Sequence, residues 1–360
     1  MHNANETILE VDLNKLEHNY NYLSSKLENG CEIIAVVKAY AYGHGDIEIS
    51  KKLERLGVYA FWVADFEEGI RLRESGIKSK IIIANPGWRS FNEIIKSNLE
   101  VVIHNIRLLD FYVSKRQEVN IHLKFNTGMN RYGFDEKDLD SICEKSKENA
   151  FLRVKSVCSH LASADDINQE KNTLKQVQLF EKISKRIENK LEVEIPKHLL
   201  NSNGFINFPS KQFDMVRLGI SLFGTFEDEN LQQISRLVSV ISQNRMIEEG
   251  QGVGYNSSFI SDKKMNVSIV PVGYADGLNR KLGNGIGEVM VKGEKCPIIG
   301  NICMDSFMID SSNINCKEGE EVEIFGEENS ILKLSEKIHT IPYEIYSTLN
   351  RRIKRVYIDS

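Results

Sequence analysis

The sequence lacks the features of a membrane-spanning, secreted or nucleic-acid-binding protein. No apolar run in the 360 residues approaches the roughly 18 residues of a membrane-spanning helix. The polar start, Met1–Glu10, has no basic segment followed by an apolar one, so we expect no secretory signal. No basic stripe or cluster of lysine and arginine suggests nucleic-acid binding, and the net charge is −5. We therefore expect a cytoplasmic protein with neither a membrane nor a nucleic-acid partner.

Cysteine and proline are also scarce. The six prolines argue against long disordered linkers, and the six cysteines include no C-x-x-C pair. This scatter predicts free thiols in a reducing compartment and no metal site. Apolar residues make up 41% of the chain and charged residues 27%, as in ordinary globular proteins. At about 100–200 residues per domain, the length favours two domains.

The segment 32–217 alternates short apolar runs with amphipathic stretches of helical periodicity. Parallel strands need a crossover connection, so this alternation predicts a parallel sheet. Eight repeats fit a (β/α)8 barrel, which we expect over residues 12–230. A doubly wound sheet is the alternative, because periodicity alone does not show closure. The eight predicted strands are Glu32–Val37, Val58–Ala64, Lys80–Ala84, Glu100–Ile103, Asn120–Phe125, Val154–Ser159, Lys197–Leu200 and Asp214–Val216.

The remaining segment, 231–360, has the pattern of a smaller β-rich domain. Helical patterns become rare after Gly224, and glycines separate short alternating runs. The glycines at 250–254 and 283–287 lack the spacing and the strand-to-helix position of a phosphate-binding loop, so we interpret them as turns. The predicted strands are Leu237–Ile241, Asn266–Val272, Gly287–Val291, Cys296–Ile299, Phe307–Asp310 and Glu321–Phe325.

Several chemically capable residues fall at the carboxyl ends of the predicted barrel strands, where barrel enzymes have their active sites. Lys38 follows four apolar residues, and burial there would lower its pKa and make its amine a nucleophile. Lys124, His160 and Arg217 lie at or near the ends of three other strands. Each residue alone is more often a surface, core or ion-pair residue, but their convergence on one face indicates a site.

Small-residue turns complete the parts that a pyridoxal 5'-phosphate (PLP) site needs. Ser202 with Gly204, and Gly219 with Ile220, offer backbone N–H groups for a phosphate. The lysine offers a covalent anchor, and the neighbouring side chains offer a flat partner for an aromatic ring. We therefore expect PLP as the cofactor.

Five motifs resemble those of the PLP-dependent alanine racemases, a family of fold-type III PLP enzymes. The resemblance covers nearly the whole chain in family order, and it implies a barrel plus a β domain. The β domain is joined by the first residues, about 1–11, which include an initial strand near Thr7–Val11. It also implies a homodimer that interconverts L- and D-alanine and supplies D-alanine for peptidoglycan. The motifs are Val37-Lys-Ala-x-Ala-Tyr-Gly-His-Gly45, Asn126-Thr-Gly-Met-x-Arg131, Val216-Arg-Leu-Gly-Ile220, Gly273-Tyr-Ala-Asp-Gly277 and Asn301-Ile-Cys-Met-Asp305.

The resemblance assigns two catalytic bases. Lys38 matches the lysine that carries PLP and serves one face of the substrate. Tyr255 matches the base for the opposite face, which the second subunit supplies. A free tyrosine has a pKa of about 10, so we expect nearby positive charge to tune this one for work near neutral pH.

The resemblance also assigns cofactor and substrate contacts. Arg217 matches the arginine that hydrogen-bonds the pyridine nitrogen, and His160 matches the histidine linked to it. A guanidinium donates without protonating the ring, which should suppress transamination. The phosphate positions are Tyr42, Ser202, Gly219 and Ile220. The substrate positions are Arg131, Met304 and Asp305, with Lys124 matching a lysine that is sometimes carbamylated to orient the arginine.

Three positions depart from the family pattern. Tyr40 stands where asparagine is common, and Asn126 stands where aspartate is common. Arg351 aligns with a tyrosine that often contacts the phosphate, and an arginine there could bind the phosphate or point elsewhere. None of the three replaces a catalytic base.

Other functions remain as alternatives. A racemase of serine or lysine would share these motifs, because side-chain specificity lies in the shape of the pocket. A non-catalytic PLP-binding barrel would lack the β domain and Tyr255. A barrel decarboxylase would favour a carboxylate facing the pyridine nitrogen and a catalytic cysteine, so Arg217 argues against it while Cys303 keeps it open.

Overall fold

The computed structural model describes residues 5–226 and 228–359 and divides into two compact units. The barrel unit contains Tyr20–Ala39 and Asp46–Leu222. The β unit contains the described residues before Tyr20, which include strand β1 (Ile8–Asp12), the segment Tyr40–Gly45 and the described residues from Phe223 onward.

These units are defined by contacts within the folded chain. The domain boundaries that we expect from the sequence, 12–230 and 231–360, remain a prediction about folding domains. Residues 1–4 of the predicted N-terminal segment lie outside the described residues. So does residue 360, at the end of the predicted second domain.

The barrel unit is a closed ring of eight parallel strands, so the predicted (β/α)8 class is confirmed and the doubly wound alternative is wrong. Each of the eight predicted apolar runs overlaps one strand, with boundaries that differ by up to two residues. The strands are β2 (Glu32–Val36), β3 (Ala60–Val63), β4 (Lys80–Ile83), β5 (Glu100–Ile103), β6 (Val119–Lys124), β7 (Leu152–Cys158), β8 (Lys197–His198) and β9 (Met215–Leu218).

Helices follow the barrel strands, and side-chain caps begin several of them. Asp65 and Asn105 each accept the N–H of the residue three positions on, which satisfies one of the backbone donors that a helix start leaves open. The short helices Phe91–Lys96 and Ser202–Asn207 are too brief to show a period and are absent from the sequence prediction. The longer helices are Leu13–Ser25, Asp46–Arg55, Phe66–Glu74, Ile106–Lys115, Leu139–Glu148 and Glu170–Leu191.

A left-handed turn follows β2, and the sequence does not predict it. Four successive non-glycine residues, Ala39 to Tyr42, have φ angles between 50° and 59°. Each L-residue in this conformation costs about 1–2 kcal/mol, so surrounding contacts must hold the turn in place. Within the turn, the N–H of Gly45 donates to the carbonyl of Tyr40 at 2.9 Å.

Partners within the β unit hold the end of this turn. Arg355 Nε donates to the carbonyl of Gly43 at 2.9 Å, and the Tyr357 hydroxyl donates to the carbonyl of His44 at 3.1 Å. Gly43 has φ +83°, and a Cβ atom there would lie 2.1 Å from the carbonyl oxygen of Tyr346. Only glycine fits this position, because both the backbone angle and the space exclude a side chain.

The β unit contains a nine-stranded sheet in the order β11-β14-β17-β16-β15-β18-β10-β1-β19. The first strand pairs antiparallel with β10 and parallel with β19, so the beginning and the end of the described chain meet in one sheet. The helices Ile331–Lys337 and Pro342–Thr348 also lie in this unit. The later strands are β10 (Ser235–Val240), β11 (Gln243–Ile247), β12 (Gly252–Val253), β13 (Phe259–Ile260), β14 (Met265–Val270), β15 (Glu288–Val291), β16 (Glu294–Ile299), β17 (Phe307–Asp310), β18 (Glu321–Phe325) and β19 (Lys354–Ile358).

The described residues contain no helix with the length and apolar character that crossing a membrane requires. The six cysteines are free; four are buried and two are half-buried.

Candidate active site

Lys38 lies directly beyond the end of β2 and is half-buried. Burial lowers the pKa of its amine, and the positive charges of Arg131 and Arg217 act in the same direction while Glu68 opposes them. A larger neutral fraction makes the amine a better nucleophile and a better base. The structure thus gives Lys38 the chemical character that the sequence analysis expects of it.

Glu68 holds the backbone just beyond the carboxyl ends of β2 and β3. One carboxylate oxygen accepts the N–H of Ala39 and the other accepts the N–H of Ala64, each at 2.7 Å. The first bond anchors the start of the left-handed turn next to Lys38. The sequence alone does not single out Glu68, because an acid in the first turn of a helix is usually only a favourable partner for the helix dipole.

Arg217, on β9, is buried and surrounded by hydrogen-bond acceptors. Its Nη1 donates to the ring of His198 and to the carbonyl of that residue at 3.1 Å. Its Nη2 contacts the carbonyls of Ser159 at 2.7 Å and Leu199 at 2.9 Å, and the Nδ1 atom of His160 at 3.1 Å. Burial lowers the pKa of Arg217 to about 10, so the guanidinium stays charged at neutral pH.

The surroundings of Arg217 fix the state of the two histidines beside it. A guanidinium only donates, so Nδ1 of His160 and Nδ1 of His198 must each be the unprotonated, accepting nitrogen. Burial and the charge of Arg217 hold the pKa of both rings well below the usual range. The indole of Trp62 packs on the guanidinium, with 5.4 Å between the guanidinium carbon and the ring centroid.

One donor of Arg217 remains open. Within the described part of the chain, its Nε–H has no hydrogen-bond acceptor. A guanidinium only donates hydrogen bonds, so this open N–H suits an acceptor such as an aromatic nitrogen with a lone pair. The expected pyridine ring therefore suits the donors present.

Ser202, at the start of a short helix, and the turn after β9 form a cluster of donors. The Ser202 hydroxyl oxygen accepts the N–H groups of Gly219 at 3.1 Å and Ser221 at 3.4 Å. It also accepts the hydroxyl of Ser221 at 2.9 Å. Three donors converge on one hydroxyl oxygen that still carries its own hydrogen, next to buried Ile220, so the cluster suits a phosphate. Ser221 was missed, because a serine in a small-residue turn carries no distinctive signal.

Tyr42 belongs to the β unit and is the last residue of the left-handed turn. Its ring packs against Phe223 and Tyr343, with centroid distances of 5.3 Å and 5.7 Å. Burial raises the pKa of its hydroxyl, so the group stays a neutral donor that could serve a phosphate.

Lys124 ends β6 beside the loop that carries Arg131. It is 9% exposed, and burial lowers its pKa to about 8, with Arg217 and Arg131 adding to the effect. With His160, these residues line one small surface pocket. Arg131 itself is exposed.

Asn126 organises the loop between Lys124 and Arg131. Its side-chain oxygen accepts the N–H of Asn130 at 2.9 Å and that of Gly128 at 3.2 Å. An aspartate could accept the same two bonds, so the departure from the family pattern keeps the loop's hydrogen bonds.

Tyr255, Met304 and Asp305 lie on exposed loops of the β unit. Tyr255 is 70% exposed and Met304 is 57% exposed. The Asn301 side chain links the two loops by donating to the carbonyl of Tyr255 at 3.2 Å. The structure thus brings together the three residues expected to come from the β unit, on a surface with two large exposed apolar side chains.

The other two departures from the family pattern contact each other. The guanidinium carbon of Arg351 lies 4.8 Å from the centroid of the Tyr40 ring, and that of Arg355 lies 5.3 Å from it. Both contacts are within the β unit and have the geometry of cation–π interactions. Arg351 therefore has a local partner at the left-handed turn.

The fold and these residues define a class: a (β/α)8-barrel enzyme with a half-buried lysine, a cluster of hydrogen-bond donors and a buried guanidinium at the strand ends. The chain belongs to the alanine racemase family. Residues 11–227 match the alanine racemase N-terminal domain, and residues 234–357 match the alanine racemase C-terminal domain.

Individual relatives match along the whole chain. The alanine racemase of Geobacter sulfurreducens is 34% identical over 98% of this chain and 97% of its own. The solved structure of the Clostridium difficile 630 alanine racemase is 30% identical, with a TM-score of 0.91 over 98% of this chain and 96% of that one. The structure of the Bartonella henselae alanine racemase with covalently bound pyridoxal phosphate is 29% identical, with a TM-score of 0.89 over 98% and 99% of the two chains.

The burial of Lys124 leads to a testable change in stability. Its folded pKa of about 8 lies below that of an unfolded lysine, about 10.4, so the native state binds fewer protons between these values. Stability of the native chain should therefore rise with pH across this window. Lys124→Met removes the buried charge, and we expect it to be more stable than wild type by about 1–3 kcal/mol near pH 7.

Denaturant unfolding in bicarbonate-free buffer checks this expectation, because carbon dioxide reacts with a neutral amine. Lys175→Met, at an exposed helix position, is the matched control. The advantage of Lys124→Met should disappear as the pH rises towards about 10. A difference that is independent of pH, or that grows above about pH 8, would contradict the burial argument.

Proposed function

We propose that this protein interconverts L- and D-alanine with PLP bound covalently through Lys38. The observation that carries the proposal is the open Nε–H of Arg217, in the same barrel as the half-buried Lys38 and the donor cluster at Ser202. The names of the relatives support alanine as the substrate. The expected location is the cytoplasm, and the expected use of D-alanine is peptidoglycan synthesis.

The residues of the barrel unit divide the work of holding the cofactor. Lys38 supplies the covalent anchor, Arg217 donates to the pyridine nitrogen, and the Ser202 hydroxyl with the N–H groups of Gly219 and Ile220 binds the phosphate. Tyr42 is proposed as a further phosphate donor. When bound, PLP supplies a conjugated ring that takes up the electron pair left at the substrate Cα. A guanidinium that keeps its own proton limits this withdrawal, which favours return of the proton to Cα.

Two bases are proposed to work on opposite faces of the substrate. Once the substrate amine has replaced Lys38 on the cofactor, the free Lys38 Nζ removes and returns the Cα proton on the face of D-alanine. The Tyr255 hydroxyl oxygen does so on the face of L-alanine. Proton removal on one face and delivery on the other inverts the carbon. Arg131 is proposed to orient the substrate carboxylate, with Lys124 positioning Arg131 and His160 holding Arg217.

We further propose that the working enzyme is a homodimer in which each site uses residues of both subunits. Tyr255, Met304 and Asp305 are exposed on linked loops of the β unit, and exposed apolar side chains of this size mark interaction surfaces. The partner subunit's copies of these loops are proposed to complete the site.

The activity and the anchor are tested together. Purified protein with PLP should convert either enantiomer of alanine to a racemic mixture, measured by chiral chromatography against a panel that includes serine and lysine. Borohydride reduction followed by peptide mapping should place the cofactor label on Lys38. Preference for serine or lysine would exclude alanine as the substrate, and a label on another lysine would exclude the anchor.

Replacing the second base should affect the two enantiomers differently. Tyr255→Phe keeps the ring and removes the titratable hydroxyl, and general acid–base contributions are about 10²–10⁴-fold. We expect racemisation to fall by about that factor. Exchange of the D-alanine Cα proton with deuterium should survive better than exchange from L-alanine, because Lys38 can both remove and replace it.

The measurement is solvent-deuterium exchange by NMR, with PLP content and dimer mass as controls. Tyr59→Phe, at a half-buried tyrosine just before the start of β3 and so at the opposite end of the barrel, is the matched control. Equal losses from both enantiomers would point to a single base or to an indirect role of Tyr255.

Sharing of sites is tested by mixing two inactive variants. In a heterodimer of Lys38→Ala and Tyr255→Phe subunits, shared sites concentrate both defects in one site and leave the other intact. We therefore expect activity to return after subunit exchange, up to about half of the wild-type activity per heterodimer. Exchange proven by mass spectrometry with no return of activity would contradict sharing.

A further inference from the structure

Five polar side chains interrupt the apolar interior of the barrel, one on each of five consecutive strands. They are Glu100 on β5, His122 on β6, Ser156 on β7, His198 on β8 and Arg217 on β9. None is more than 7% exposed. Groups of this polarity are buried at a cost unless they are fully paired, so their arrangement needs an explanation.

Hydrogen bonds connect the five in strand order. Glu100 Oε2 lies 2.9 Å from Nε2 of His122, and Nδ1 of that ring lies 2.6 Å from the Ser156 hydroxyl. The hydroxyl lies 3.0 Å from Nε2 of His198, whose Nδ1 contacts Arg217. The paired register of β6 with β7, His122 opposite Ser156, sets the middle of this chain.

Arg217 and Glu100, at the two ends of this row of hydrogen bonds, impose the same donor-to-acceptor direction on it. Arg217 only donates, so His198 accepts at Nδ1, carries its proton at Nε2 and donates to Ser156. Ser156 then donates to Nδ1 of His122, which carries its proton at Nε2. A carboxylate only accepts, so Glu100 receives that proton in a hydrogen bond. When both rings are neutral, each polar hydrogen of His198, Ser156 and His122 has one acceptor.

Glu100 supplies a negative charge to match the guanidinium. Asn120 also donates to it, at 2.9 Å. Burial alone would raise the pKa of Glu100, but its bonds to His122 and Asn120 and the charge of Lys80 keep the pKa below the usual value. The carboxylate is therefore ionised, and successive hydrogen bonds of one direction polarise each other.

We propose that Glu100 is a positioning residue for Arg217, acting through a directed relay of His122, Ser156 and His198. The relay holds His198 in the tautomer that accepts from Arg217, which orients the guanidinium and its open Nε–H. It also supplies the buried counter-charge of the guanidinium. This inference rests on the proposed function, in which Arg217 binds the pyridine nitrogen.

The test uses the PLP-loaded enzyme and two relay variants. Ser156→Ala removes the bridge between the two rings, and Glu100→Gln keeps a hydrogen-bond acceptor while removing the charge. Ser184→Ala is the matched control, because this buried hydroxyl has no partner among the described residues. The measurements are kcat and KM for alanine, PLP content, and the ring nitrogen signals of the histidines by ¹⁵N–¹H NMR.

In wild type, we expect His122 and His198 to be neutral and protonated only at Nε2. Ser156→Ala should lower kcat by about tenfold with a change in KM of less than about twofold, as removal of a supporting shell typically does. The Nε2–H signal of His198 should also move and exchange faster with solvent. Glu100→Gln should fold, move the His122 Nε2–H signal, and lower kcat less than Ser156→Ala does.

Two results would overturn the relay. One is a doubly protonated His122 or a His198 protonated at Nδ1 in wild type. The other is a kcat in both relay variants equal to that of Ser184→Ala. If Ser156→Ala fails to fold, Glu100→Gln alone decides through its kcat and its NMR signal. Absence of racemisation in wild type would instead reject the proposed function, while the NMR assignment of the tautomers would still test the relay.

Discussion

The need to bury one positive charge inside a closed barrel governs the structure around the site. A buried guanidinium is tolerated only with acceptors on most of its N–H groups. Arg217 obtains them from carbonyls at the ends of β7 and β8 and from two histidine rings. Burial is the main cause of the lowered pKa of those rings and of Lys38, and the charge of Arg217 adds to it. Glu100, His122 and Ser156 continue this pattern, because hydrogen bonds connect them to His198 and so to Arg217.

The sequence predicts the barrel well because its strands are short apolar runs between amphipathic helices, and each of the eight runs overlaps a strand. It does not predict the left-handed turn at 39–42. Alanine and tyrosine have no preference for positive φ, so that conformation depends on partners such as Arg355 and Tyr357 that lie far away in the chain. Contacts of this kind are invisible until the fold is known.

The same distinction applies to the candidate site. Lys38, Lys124 and Arg217 are detectable in the sequence, because a charged residue in or after an apolar strand stands out. Their supports are not detectable, since His198 resembles an ordinary core histidine and Glu68 an ordinary helix-start acid. The partners become clear only when strand register and turn geometry bring them within hydrogen-bond distance. For Tyr255 and Met304, family resemblance supplied the expectation, because exposed loop residues carry no periodic signal.

The pairing of β1 with β19 has a consequence for the time at which the chain can finish folding. Asp12 is paired in a sheet with residues near the end of the chain, and about 340 residues separate the two strands. At roughly 5–20 residues per second of synthesis, the first strand waits roughly 20–70 s for its parallel neighbour. Arg355 and Tyr357, which hold Gly43 and His44, emerge from the ribosome at the same late moment. Until the residues of β19 have been synthesised, the left-handed turn after Lys38 therefore lacks these two hydrogen bonds.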